Sequence, residues 1–310
     1  MNANPLSQNP ARALVLAGGG AAGNAWQIGL AAGLFDARID LRTADLVVGT
    51  SAGSTVAAQL TSGLAPDELY AAVRGEARPT PTQTPAPSAA APPYKGAGGR
   101  RPVSGPDYLQ WSDAIIAAAS DPADMRRRMG AAALERDTSD GADAARWRAV
   151  VASRLPSHVW PRQRILITAV DARTGEPVVF DRDSGVDLVD AVAASTSAMT
   201  PYRIGDRRLL NGGYRRSENA DLAAGFARVL VLSPFGGRSR MQPGWGMDLA
   251  TQVGELEAGG SRVVTVFPDA RAGDVFDANA LDPATRGRAA RGGYDQGREL
   301  AAGPVGELWR

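Results

Sequence analysis

The chain has 310 residues, with 34 basic and 33 acidic side chains, a formal net charge of +1 and a hydrophobic fraction of 44%. A balance so near neutral leaves no whole-chain field to gather nucleic acid or an anionic surface. With no cysteine, disulfides, thiolate metal sites and a cysteine nucleophile are all excluded.

Residues 1–10 are polar and expected to fray. Met1–Arg12 lacks the basic region and apolar run of a signal peptide, and no stretch approaches the roughly 20 apolar residues of a membrane span. The expected address is cytoplasmic.

Ala11–Ala17 reads as a short buried strand that runs into Gly18-Gly19-Gly20. Trp26–Phe35 reads as a helix, with Ile28, Leu30, Leu34 and Phe35 on its apolar positions. Asp45–Val48 is a second buried strand, ended by Gly49. Ser51–Ser62 continues as helix until Gly63 and Pro66 stop it. This rhythm predicts a parallel sheet covered by helices, hence a three-layer α/β/α fold with a mainly parallel central sheet.

Ala77–Pro106 breaks the rhythm with Pro, Ala, Thr, Ser and Gly and reads as a flexible insertion. A solvated loop is its plainer interpretation; a lid over a lipid site is the sharper one. Tyr108–Leu155 is helical in pattern. Strands then resume at Arg164–Val170, Pro177–Phe180, Arg228–Leu232 and Arg262–Phe267, and an Arg-rich helix is expected over Asp282–Arg310. The strands on both sides of the insertion are alike in character. One domain over residues 11–310 is therefore expected.

Two glycine motifs carry the chemistry. Gly49-Thr50-Ser51-Ala52-Gly53 places a serine at a strand-to-helix turn, where a strained backbone pushes the side chain out of the sheet. The pentamer alone is a weak signal in a glycine-rich chain, and the strand before it and helix after it strengthen it. Ser51 is the candidate nucleophile, with Gly49 and Gly53 as the small neighbours of the elbow.

Gly18, Gly19, Gly20 and Gly23 form the second motif. Spaced as Gly18-x-Gly20-x-x-Gly23, they also fit a dinucleotide fingerprint. That fingerprint needs an acidic residue at the end of the next strand, whereas Asp36, Asp40 and Asp45 fall before it or at its start. The loop fits an oxyanion hole better, because it offers backbone N–H groups without side-chain obstruction.

A serine nucleophile needs a proton acceptor. The single histidine, His158, stands between prolines with no acid near it in sequence, and reads as structural. A carboxylate is the other option.

Here the pattern resembles the patatin-like phospholipases. The resemblance rests on the strand leading to Gly18-Gly19-Gly20, the Gly49–Gly53 pentamer, the block Ala194–Pro201, and Leu210-Asn211-Gly212-Gly213 followed by Ser217–Ala223. It implies a serine lipid acyl hydrolase with a Ser-Asp dyad, no cofactor, and an acyl ester or lipid substrate met in transient contact with a membrane surface.

Two positions depart from the family's pattern. Ala22 stands where a basic residue is usual, and Asn211 stands where the dyad aspartate belongs. An amide cannot take up a proton at neutral pH, though its carbonyl oxygen is expected to orient Ser51. Four explanations are open: an inactivated variant, an acyl-binding protein without turnover, a base supplied by Asp171 or Asp206, or slow deamidation of Asn211-Gly212 that regenerates an aspartate. No metal set is evident, since Asp181-Arg182-Asp183 reads as a turn, and Arg126-Arg127-Arg128 reads as a solvated helix face.

Overall fold

The computed structural model describes residues 11–75, 105–138, 141–273 and 275–310. The expectations for residues 1–10 and for most of the 77–106 insertion lie outside them; Gly105 and Pro106 already belong to a helix.

The first half alternates strand and helix: β1 (Arg12–Leu16), α1 (Gly20–Asp36), β2 (Leu46–Gly49), α2 (Ala52–Leu60) and α3 (Pro66–Arg74). Pro66, expected to stop a helix, instead starts α3 at a position where its missing N–H costs nothing. Three helices follow, α4 (Gly105–Ala117), α5 (Pro122–Arg136) and α6 (Ala142–Ala152). Then come β3 (Arg164–Asp171), β4 (Pro177–Phe180), α7 (Leu188–Ser195), β5 (Tyr202–Ile204), β6 (Arg207–Asn211), β7 (Arg228–Leu232), α8 (Leu249–Ala258) and β8 (Arg262–Val266). The expected C-terminal helix is two, α9 (Arg286–Leu300) and α10 (Pro304–Trp309), broken where Gly303 and Pro304 interrupt the backbone ladder.

The strands form one sheet in the order β5-β6-β3-β2-β1-β7-β8, with β4 paired to β3. The five strands from β3 to β8 are parallel; β4, β5 and β6 are antiparallel additions. Strand alternation sends Leu14 and Leu16 of β1 into one core with α1, α2 and α9. Ala13 and Val15 enter a second core on the other face, with Leu249 and Leu256 of α8. The two cores are the physical content of the three layers.

Two registers decide the site. Along β3, Ile167 pairs with both Gly49 and Phe180, so β2 and β4 occupy opposite edges. Ala169 pairs with Val178 and Asn211, so β6 lies opposite β4 and therefore on the β2 edge. Strands β2 and β6 thus meet end to end along one edge of β3. The turn after Gly49 and the last residue of β6 arrive at the same place.

Helix α9 packs along α1 through a glycine seam. A Cβ on Gly29 would lie 2.1 Å from the Ala290 carbonyl oxygen, one on Gly33 2.1 Å from that of Tyr294, and one on Gly293 2.3 Å from that of Trp26. The paired numbers rise together, so the helices are parallel. Gly29→Ala is expected to lower stability by about 1–3 kcal/mol through overpacking, outweighing the gain in helix propensity. Gly254→Ala on α8, with open space around its Cβ, is expected to raise stability by about 0.5–1 kcal/mol. Denaturant unfolding of both variants checks the pair.

Candidate active site

Ser51 sits between β2 and α2 with φ 53° and ψ −122°, a left-sided backbone that a non-glycine residue adopts only under constraint. The constraint is visible. The Ser51 N–H donates to the buried Ser195 Oγ at 2.9 Å, and the Ser51 carbonyl accepts from Ser54 Oγ at 2.6 Å. Gly53 lets α2 approach β1, since a Cβ there would stand 1.9 Å from the Leu16 carbonyl oxygen. Gly49 meets Ser54 Cα in the same way.

Asn211 closes on this serine. Its Nδ2 donates to Ser51 Oγ at 3.0 Å, while its Oδ1 accepts from the Gly213 N–H at 2.9 Å. The orientation corrects the expectation that the carbonyl oxygen would face Ser51. A backbone N–H can only donate, so it claims the amide oxygen and turns the NH₂ toward the hydroxyl. Gly212, next in the chain, has no room for a side chain, because a Cβ would fall 2.1 Å from Thr168 Oγ1.

The other proposed bases are elsewhere. Asp171 accepts from the backbone of Arg173 and Thr174 in the turn after β3, and Asp206 is exposed in the turn at the far end of β6. His158 holds the Ala152 carbonyl at 2.9 Å. It precedes the start of β3, whereas Ser51 follows the end of the parallel strand β2, so they lie at opposite ends of the sheet.

Of the glycine loop, Gly18 faces the serine directly: a Cβ there would meet Ser51 Cβ at 3.2 Å. Gly19 and Gly23 are pressed against Pro234, and Gly20, at φ 60°, against Ala280 and Leu281. These contacts leave no room for a side chain at Gly19, Gly20 or Gly23. The Gly23 N–H is engaged by the Gly19 carbonyl at 2.7 Å. Among the described residues, the N–H groups of Gly18, Gly19, Gly20 and Ala52 have no protein acceptor. Beneath them Gln27 Nε2 holds the Ala17 and Gly23 carbonyls, each at 3.1 Å. The arrangement offers a strained hydroxyl beside free backbone donors at the carboxyl ends of β1 and β2.

A buried polar network underlies the site. Asn219 Nδ2 approaches Thr50 Oγ1 at 2.9 Å, Thr168 Oγ1 at 3.2 Å and the Gly212 carbonyl at 3.1 Å. Glu218 is also buried, accepting from Ser217 Oγ and from Ser233 Oγ at 2.9 Å. Burial raises the Glu218 carboxyl above its ordinary value, despite these donors. Ser195, Gln27, Glu218 and Asn219 are roles that spacing alone did not expose. The Ala194–Pro201 block was the one signal pointing toward Ser195.

The sequence profile of the patatin-like phospholipase family matches residues 14–224. The chain belongs to this family. The matched span takes in Leu14–Leu16 of β1, all of β2, Ser51 and Asn211, and it ends before β7. Two solved structures are similar to this patatin-like chain. VipD from Legionella pneumophila is 14% identical, with 95% of this chain and 67% of that one covered and a TM-score of 0.46. The type III effector protein ExoU is 17% identical, with 93% of this chain and 53% of that one covered and a TM-score of 0.35. The chain thus spans about two thirds and half of their lengths. A search of curated proteins returns no match. No helix of the described residues is long and apolar enough to cross a membrane.

Two substitutions test the support beneath Ser51. Ser195→Ala strands the Ser51 N–H and is expected to cost about 1–3 kcal/mol, read as a fall in Tm. Glu218 is an acid with a raised folded-state pKa, so the fold favours its neutral form. Its contribution is best at low pH and is lost as pH rises through the ordinary carboxylate value toward the raised one. Glu218→Gln is therefore expected to flatten that decline in a Tm-against-pH series; an unchanged slope would assign the decline to other groups.

Proposed function

We propose that the chain is a serine lipid acyl hydrolase in which Ser51 is the nucleophile and position 211 receives its proton. The observation that carries this reading is the contact between Asn211 and the strained Ser51 hydroxyl. With a carboxylate at 211, one oxygen would keep the Gly213 N–H and the other would accept the hydroxyl proton. Ser51 would then attack an ester carbonyl, with the oxyanion held by the free N–H groups of the Gly18–Gly20 loop and of Ala52. As the tetrahedral intermediate collapses, the ester C–O bond would break and the leaving alcohol take the proton from position 211. Water would then hydrolyse the acyl-enzyme by the same route in reverse. No step calls for a metal or cofactor.

The amide reverses that hydrogen bond. It donates into the lone pair Ser51 needs for attack and offers no site for the proton. In the chain as written, this favours binding of acyl chains with turnover suppressed. Asn211→Asp is expected to raise hydrolysis of a p-nitrophenyl acyl ester by about 10²–10⁴-fold, the usual worth of a general base. Ser51→Ala in that background is expected to abolish the gain. Equal activity with Asn or Asp at 211 would sink the dyad, and lipid retention without turnover in the aspartate form would support a binding protein instead.

A further inference from the structure

The carbonyl of Ala17 is the first beyond the strand ladder of β1. Leu16 is the last residue of β1 paired to β2 and β7, and its own carbonyl accepts from the Thr50 N–H at 3.0 Å. The Ala17 N–H still reaches β7, donating to the Leu232 carbonyl at 3.1 Å. The Ala17 carbonyl is held instead by a side chain, accepting from Gln27 Nε2 at 3.1 Å.

Gln27 lies four residues after Gly23 on α1, so the two share a helix face, and its Nε2 also donates to the Gly23 carbonyl at 3.1 Å. The side chain is fully buried. Both amide hydrogens are thus spent on the residue before the glycine loop and on the last glycine of the motif. The reverse pose would bring Oε1 against two carbonyl oxygens, so the amide has one orientation. In that orientation Oε1 has no hydrogen-bond partner among the described residues. A buried acceptor left so costs stability, and an apolar side chain of similar length would avoid the cost. What the amide gains lies in the two carbonyls it holds.

A trans peptide unit is planar, with its C=O and N–H pointing in opposite directions. Drawing the Ala17 carbonyl toward α1 therefore turns the Gly18 N–H the other way. Gly18 is the glycine whose Cβ would meet Ser51 Cβ at 3.2 Å. The Gly20 N–H is set by α1 itself, because the Gly19 carbonyl accepts from the Gly23 N–H at 2.7 Å. Of these two donors, the one nearest Ser51 takes its direction from a side chain.

We propose that Gln27 is a positioning residue of the hydrolytic site, whose buried amide fixes the Ala17–Gly18 peptide so that the Gly18 N–H meets the oxyanion formed at Ser51. The inference rests on the hydrolase reading and adds to it a residue that never touches substrate. The Gly18 donor meets full charge only as the tetrahedral intermediate forms, so its misdirection slows turnover more than it weakens binding.

The experiment measures kcat and KM for a p-nitrophenyl acyl ester in the full chain carrying Asn211→Asp, with and without a second substitution at Gln27. Gln27→Met keeps the length of the side chain and removes both donors. It is expected to lower kcat by about 10–10²-fold, less than outright loss of an oxyanion donor, with KM changed by less than about threefold and the circular dichroism spectrum retained. Gln27→Glu keeps the shape. Its buried carboxyl, facing two carbonyl oxygens, is expected to titrate above the ordinary carboxylate range. The neutral acid still donates to one carbonyl, whereas the ionised form repels both. The ratio of its kcat to that of the Asn211→Asp chain is therefore expected to rise as pH falls, a dependence that packing alone does not produce.

Undiminished kcat in Gln27→Met, or a change confined to KM, overturns the positioning role and leaves the hydrolase reading in place. A pH-independent ratio for Gln27→Glu does the same, and this variant decides should Gln27→Met fail to fold. If Asn211→Asp itself brings no gain in hydrolysis, the hydrolase reading falls and the role of Gln27 falls with it.

Discussion

The amide of Asn219 is the contact on which the site's geometry depends. It bridges the end of β2 at Thr50, the middle of β3 at Thr168, and the Gly212 carbonyl just past β6. Those three segments come from distant parts of the chain, and β2 and β6 meet end to end only because β3 presents one edge to both. A hydrogen-bonded ladder fixes the strands laterally but leaves their ends free to drift. The buried amide removes that freedom, since any separation would leave polar atoms unsatisfied in the interior. Asn219 is itself in a left-handed conformation and is held by Arg215, so the clamp is anchored from behind.

Given that clamp, the distance between Ser51 and residue 211 is a property of the scaffold, while the direction of the hydrogen bond between them is a property of one side chain. The Gly213 N–H would hold an oxygen at position 211 in either an amide or a carboxylate. What changes is the second atom, which is a donor in one and an acceptor in the other. On the proposed dyad reading, asparagine therefore keeps the shape of the site and reverses the hydrogen bond to Ser51. The same economy applies to the glycines. The Cα of Gly18 faces the serine, whereas a side chain at Gly19, Gly20 or Gly23 would collide with Pro234, Ala280 or Leu281, so glycine at these positions also serves packing.

The sequence made the sheet legible because buried parallel strands are short apolar runs ended by glycine, as at Val48-Gly49 and Leu16-Ala17-Gly18. The elbow at Ser51 was legible for the same reason. Helix α3 was hidden by Pro66, which reads equally as a stop and as a first residue. The roles of Ser195, Glu218 and Asn219 were hidden because each depends on a partner more than ten residues away, and no local pattern encodes such a bond. The orientation of Asn211 could not be read either, since it is decided by a backbone N–H whose direction exists only in the fold.

The position of β1 carries a consequence for how the protein is made. β1 lies in the middle of the sheet, between β2, which follows it closely, and β7, whose Arg228 pairs with Arg12. Helix α1, which opens from the glycine loop, is covered by α9, near the other end of the sequence. During synthesis, the loop beside Ser51 therefore emerges before its flanking strand β7 and its covering helix α9. Contacts of such long range close slowly. A nascent patatin-like chain of this architecture thus holds Ser51 well before β7 and α9 are there to enclose it.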